Sequence, residues 1–283
     1  MISQYTVEPY KKATDAIKSP LRYPGGKFYA LKHIMPYIVC VPHDEYREPF
    51  MGGGSVFFAK KKVKYNIIND LETEIIDLYR WIQDAERCEQ LIEMLSREEA
   101  TRERHAIIKE LVAETEIEKV FKTYYLNRTS YSGIINRPAW GYAEGKSSPP
   151  KNWGDFLRTA SKKLVDVEMF SLDFTEILNM PPKGRDVLVY LDPPYYHADQ
   201  KRAYTKPFEI EDHIRVAHAL RNTKYNFCLS YDDCPEIREL YSWANINDVS
   251  WLYNTDNKPG QSRKACKEVI ITNYETKHIN SIV

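Results

Sequence analysis

The residues best suited to chemistry stand together at one place. Val187-Leu188-Val189-Tyr190-Leu191 runs directly into Asp192-Pro193-Pro194-Tyr195-Tyr196. The apolar run has the length and β-branched content of a buried strand. Proline has no N–H to give to a ladder, so Pro193 and Pro194 end that strand abruptly. A carboxylate, a stiff turn and a ring are thereby held at a strand's carboxyl end, the edge at which open α/β sheets bind ligands. Ionised, Asp192 only accepts hydrogen bonds, and the carbonyl of Pro193 is a second acceptor on a rigid backbone. Two adjacent acceptors match the two N–H groups of an exocyclic amine. Tyr195 offers a face on which a flat heterocycle stacks, worth about 1–3 kcal/mol. Asp192, Pro193, Pro194 and Tyr195 are therefore the candidate catalytic residues. The plainer alternative is a solvated Asp in a proline-rich turn.

Other stretches carry residue types that handle a cofactor. In Tyr46-Arg47-Glu48-Pro49-Phe50-Met51-Gly52-Gly53-Gly54-Ser55-Val56-Phe57-Phe58, three glycines separate a short strand from an apolar helix. Glycines there let the backbone approach a ligand closely. The next strand, Tyr65-Asn66-Ile67-Ile68, ends in Asn69-Asp70. An acid at that tip commonly accepts hydrogen bonds from ribose hydroxyls; it is also a good cap for a helix over Glu72–Trp81. Pro20-Leu21-Arg22-Tyr23-Pro24-Gly25-Gly26-Lys27 sets a tight turn and a cation ahead of a helix from about Phe28 to Tyr37. It is not a P-loop, because the preceding glycine and the Ser/Thr after the lysine are missing. Asp173 and Phe174, after a strand over Val165–Phe170, offer an acid and a ring to frame an adenine.

A third group has the composition of a recognition surface. From Tyr124 to Gly133, and on through Asn136-Arg137-Pro138-Ala139-Trp140 to Trp153, aromatics mix with Arg, Asn and Ser without periodicity. Arg128, Ser130, Tyr131, Asn136 and Arg137 suit base edges, phosphates and stacking. Arg263 and Lys264, in a basic loop over Asn254–Lys264, suit phosphates or equally an ordinary hairpin surface.

The elements that must position these residues read as an α/β chain. Residues 81–125 are charged and helical, with apolar residues at 3–4-residue spacing. From Lys162 strands and helices alternate again: helix Ile210–Leu220, strand Phe227–Ser230, helix Pro235–Trp243, then strands near Asp248–Trp251 and Glu268–Tyr274. Residues 1–80 and 162–283 are expected to form the catalytic domain and 81–161 a helical and irregular insertion. Residues 1–19 are expected to be a loosely held arm, and His197–Thr205 a mobile loop. Lys+Arg and Asp+Glu are each 40 in 283 residues, so net charge gives no global pull towards nucleic acid. No apolar run approaches the ~18 residues of a membrane span, and the N-terminus lacks a signal-peptide core. Five scattered cysteines without a CxxC read as reduced thiols of a cytoplasmic protein with no structural metal.

Taken in order, these pieces resemble the Dam-like family of S-adenosylmethionine-dependent DNA adenine-N6 methyltransferases. The matching residues are Tyr23-Pro24-Gly25-Gly26-Lys27, Glu48-Pro49-Phe50-Met51-Gly52-Gly53-Gly54-Ser55-Val56, Asn69-Asp70, Asp192-Pro193-Pro194-Tyr195 and the late Gly260, Arg263-Lys264 and Glu268. The resemblance spans about residues 20–275. Tyr23-Pro24 departs from the Trp-Ala that relatives often carry. It implies an α/β fold: a seven-stranded Rossmann-like methyltransferase sheet with a smaller helical DNA-recognition insertion. It places Tyr23, Lys27, Asp70 and Asp192 against the cofactor S-adenosylmethionine, with Phe50, Gly52 and Gly54 forming the turn beneath. It further implies double-stranded DNA as partner and a flipped adenine as target, in a monomer or weak homodimer with no membrane or metal. It leaves open the target sequence and a restriction endonuclease counterpart. The rival readings are the same transfer to cytosine N4, RNA adenine or a glutamine side chain; a dinucleotide oxidoreductase, which leaves Asp-Pro-Pro-Tyr unexplained; and a catalytically silent DNA-binding module.

Overall fold

The computed structural model describes residues 4–9, 11–197, 208–252 and 265–278. After β1 (Gln4–Val7) come α1 (Leu31–Val39), β2 (Glu45–Glu48), α2 (Ser55–Ala59), β3 (Tyr65–Asn69) and α3 (Thr73–Gln83). A run of helices follows: α4 (Ala85–Ser96), α5 (Arg102–Glu110), α6 (Glu116–Thr129) and α7 (Trp153–Leu164). The chain then returns to β4 (Val167–Phe170), α8 (Phe174–Asn179), β5 (Val187–Leu191), α9 (Ile210–Asn222), β6 (Asn226–Asp232), α10 (Pro235–Leu240), β7 (Asn245–Leu252), β8 (Ala265–Thr272) and β9 (Glu275–His278).

Seven strands form one sheet in the order β4-β3-β2-β5-β6-β8-β7. The pairings from β4 through β6 are parallel, and β8 runs antiparallel to both β6 and β7. The strand order reverses between β2 and β5, whose register pairs Glu45 with Val187 and Arg47 with Val189. Ligands of open α/β sheets bind outside the carboxyl ends of the strands at such a reversal. The α/β class and the seven-stranded sheet expected from the sequence are present.

β5 is wholly apolar and wholly buried, as a central parallel strand must be. Its neighbour β2 is not: Glu45-Tyr46-Arg47-Glu48 carries three charged residues, yet all four are buried. The charges are satisfied inside. Arg47 donates from Nε to Glu45 at 2.7 Å and from its terminal nitrogens to the carbonyls of Ile177, Met180 and Pro181. Glu45 in turn accepts the backbone N–H groups of Lys183 and Gly184. This network fastens the loop leading into β5 beneath the sheet.

Two sequence expectations are corrected. The stretch from Tyr124 is not irregular at its start: α6 continues to Thr129, opened by a capping box between Thr115 and Glu118. Residues Tyr124 to Thr129 are all buried, so the end of the helix has no solvent-facing side and shows no amphipathic stripe to read. The N-terminal residues are not a loose arm, because β1 pairs in parallel with β9 and Ile17 packs on the core. The helices of residues 81–161 pack on the same core as the sheet: Leu91, Leu95, Tyr124, Trp153 and Leu157 share one buried cluster with Phe57, Ile75 and Tyr79. The thiols of Cys40, Cys88, Cys228 and Cys234 are free. Among the described residues no helix is long and apolar enough to cross a membrane.

Candidate active site

A cavity of ≈ 320 Å³ opens at the carboxyl edge where the sheet reverses. Its walls join the turn after β2, the tip of β3, the loop before α1 and the Asp192–Tyr195 turn after β5. Four stretches far apart in sequence thus meet at one place because β2 and β5 are neighbours.

The glycine turn makes the floor. Gly52 and Gly54 take positive φ, +46° and +66°, which a side chain strains. A Cβ on Gly52 would stand 2.7 Å from the ring of Tyr23, so that ring lies flat over the turn only because glycine is there. Asp70 braces the same turn: its carboxylate accepts the N–H of Gly52 at 2.6 Å and that of Glu72 at 2.9 Å. Burial pushes the Asp70 carboxyl up to about 6, against the pull of those two bonds. At the far end, Phe50, Phe174 and Phe208 form a cluster with ring centroids 5.4–6.4 Å apart. An aromatic wall in a cavity that also holds a carboxylate fits a nucleoside, and S-adenosylmethionine is one.

The other end is Asp192, whose side chain is 20% exposed. Lys27 reaches its Oδ1 at 2.7 Å, and the Lys27 Nζ also lies 4.7 Å from the centre of the Tyr195 ring. Ser230 donates to the same Oδ1 at 2.8 Å. Tyr195 donates its phenol hydrogen to Glu268 on β8, which holds the ring over the mouth of the cavity. Below them Glu48 accepts from Tyr46 at 2.6 Å. Burial pushes the Glu48 carboxyl up to about 8.

A family model for D12 class N6 adenine-specific DNA methyltransferases matches residues 23–255. The chain belongs to this family. It is 28% identical to the Type II methyltransferase M1.LlaDCHI of Lactococcus lactis subsp. cremoris, over 89% of this chain and 94% of that one. It is 27% identical to the Type II methyltransferase M.MjaIII of Methanocaldococcus jannaschii, over 91% and 99%. With the modification methylase StsI of Streptococcus sanguinis it shares 24% identity, over 93% of this chain and 44% of that one. The protein is an S-adenosylmethionine-dependent adenine-N6 DNA methyltransferase of the D12 class.

In this D12 enzyme the structure brings together Tyr23, Lys27, Phe50, Gly52, Gly54, Asp70, Phe174, Asp192, Pro193, Pro194 and Tyr195 around one cavity. Asp173 is not in its wall. One Asp173 oxygen caps α8 at Thr175, and both bind Arg215 of α9 at 2.8 and 2.9 Å, so it serves the helix pair and not an adenine. Its carboxyl is raised by burial, but the Thr175 and Arg215 bonds outweigh this and hold it below the ordinary value. Arg128 and Ser130 are also corrected, because they lie under the surface. Arg128 donates to the carbonyl of Pro20 and stacks 5.2 Å from the ring of Phe156. Tyr131 and Arg137 are exposed. Asn136 lines a second cavity whose wall holds Glu72, Glu74 and Asp77 together with Lys119 and Lys122. Arg263 and Lys264 lie outside the described residues. Ser230 went unnoticed in the sequence: it closes an apolar strand, and nothing local says that strand lies beside β5.

Proposed function

We propose that the protein transfers a methyl group to N6 of an adenine turned out of duplex DNA. The observation that carries this is a single cavity with a nucleoside-shaped end and an amine-accepting end, at the strand reversal. N6 is unreachable inside the stack, so the base must leave it. When bound, S-adenosylmethionine supplies an electrophilic methyl on a sulfonium. Asp70 would accept ribose hydroxyls, the Phe50 and Phe174 rings would pack against the adenine of the cofactor, and the glycine turn would leave the backbone room to approach it.

Tyr195 stacks on the target base. The amine of adenine is a poor nucleophile because its lone pair is delocalised into the ring. Asp192 and the Pro193 carbonyl accept its two hydrogens, which favours a pyramidal nitrogen with the lone pair turned out of conjugation. Positioning and fixed charge supply most of the rate. Asp192 receives a proton once the nitrogen has been methylated, because only then is that proton acidic. In the free enzyme Lys27 neutralises Asp192, so the carboxylate is not left unpaired in a half-buried site. Tyr131 and Arg137, exposed between α6 and α7, are proposed to contact DNA. The Type II names of two relatives support a restriction endonuclease counterpart.

The test is incubation with labelled S-adenosylmethionine and adenine-unmethylated duplex DNA, then digestion to nucleosides. N6-methyldeoxyadenosine is expected; label in cytosine, in RNA alone or in no nucleoside overturns the reading. Asp192→Ala is expected to abolish transfer while DNA binding persists in a gel-shift assay.

A further inference from the structure

Asp192 is met from behind by a side chain of the neighbouring strand. Leu191 pairs with Leu229 across β5 and β6, so Ser230 falls next to Asp192. Ser230 is fully buried, and its Oγ lies 2.8 Å from Asp192 Oδ1 and 2.9 Å from the phenol oxygen of Tyr190. A hydroxyl has one proton to give. The carboxylate only accepts and is charged, whereas the Leu191 carbonyl is farther away at 3.4 Å and the Tyr190 phenol has a proton of its own to give. The Ser230 proton therefore points at Asp192, and Tyr190 must donate to Ser230. Tyr190 keeps its proton for that purpose: burial, with Asp192 nearby, pushes its phenol well above the ordinary range.

We propose that Tyr190 and Ser230 form a directed donor chain that sets the rotation of the Asp192 carboxylate for the target amine. Oδ1 is filled by Ser230 and Lys27. Among the described residues no partner is given to Oδ2, which is thereby the oxygen presented to N6. Two donors in series also strengthen one another, and they hold negative charge at the point where the attacking nitrogen becomes positive. Ser230 lies outside the cavity wall, and Tyr190, though buried, reaches that wall; both are positioning residues acting through Asp192. The inference rests on the role given above to Asp192.

The test is single-turnover methylation of adenine-unmethylated duplex DNA by the full-length protein, with affinities for S-adenosylmethionine and DNA measured separately. Ser230→Ala is expected to slow the methylation step about tenfold, the scale of one hydrogen bond to a charged group, with both affinities within about twofold. Ser230→Thr restores the rate. Tyr190→Phe slows it less, about threefold, and the double variant is no slower than Ser230→Ala, because the chain is already cut. An unchanged rate in Ser230→Ala, a loss confined to cofactor affinity, or multiplicative effects in the double variant overturns the proposal. Should Ser230→Ala not fold, an unchanged rate in Tyr190→Phe does so alone. A wild-type protein that methylates no adenine removes the underlying reading, and this inference with it.

Discussion

Tyr195 combines two roles that substitution can separate. Its ring is the stacking surface and its hydroxyl is the tether to Glu268. Tyr195→Phe keeps the ring and loses the tether, so kcat/KM is expected to fall by about 1 kcal/mol, or fivefold. Tyr195→Ala loses both and is expected to cost a further 1–3 kcal/mol, about 5- to 150-fold. Steady-state kinetics on one DNA substrate checks the order; equal losses would mean that the ring does not stack. Asp70 gives a pH signature. Its carboxyl titrates at about 6, above the ordinary value. Ribose hydroxyls donate best to the ionised form, so S-adenosylmethionine affinity is expected to weaken as pH falls through about 6. Stability moves the other way: this group's contribution is present at low pH and is lost as pH rises through about 6, because the folded state holds a proton the unfolded chain has released. Calorimetric titration of cofactor at pH 5 to 8 is the measurement, and Asp70→Asn is expected to flatten the curve.

At the scale of elements, the glycine turn and α2 act as one unit. Gly54 is the left-handed residue that caps α2, and a Cβ there would collide with the Met51 side chain. Gly54→Ala is therefore expected to destabilise the protein by about 1–3 kcal/mol, read as a lower urea midpoint, and to weaken cofactor binding by tilting the turn. Helix α6 makes the opposite point about legibility. Its start is written in the chain, with Thr115 and Glu118 capping each other, and Thr115→Ala is expected to cost about 1 kcal/mol in urea unfolding. Its last two turns are not legible, since burial on every side erases the periodicity that marks a helix.

At the scale of the whole molecule, the site depends on β2 and β5 lying side by side. The buried Glu45–Arg47 pair keeps them so by tying β2 to the loop before β5. Arg47→Ala strands a buried carboxylate and is expected to cost about 3–5 kcal/mol. That is a large share of a typical 5–15 kcal/mol stability. Thermal unfolding tests it, and a shift like that of a surface arginine would remove the clamp from the account.

The sequence by itself determined the chemistry-bearing turn, the glycine floor, the carboxylate of Asp70 and the alternation of strands and helices. Each is a local pattern: a strand ended by prolines, glycines where side chains are strained, an acid at a strand tip. Only the tertiary structure decided that the polar Glu45–Glu48 segment is a central strand, that Arg128 and Ser130 lie inward, that Asp173 belongs to Arg215, and that Ser230 stands behind Asp192. The reason is physical. Those facts depend on which distant segments pair across the sheet, and burial of a charged or polar residue is permitted by partners from about forty to more than a hundred positions away, which no local spacing records.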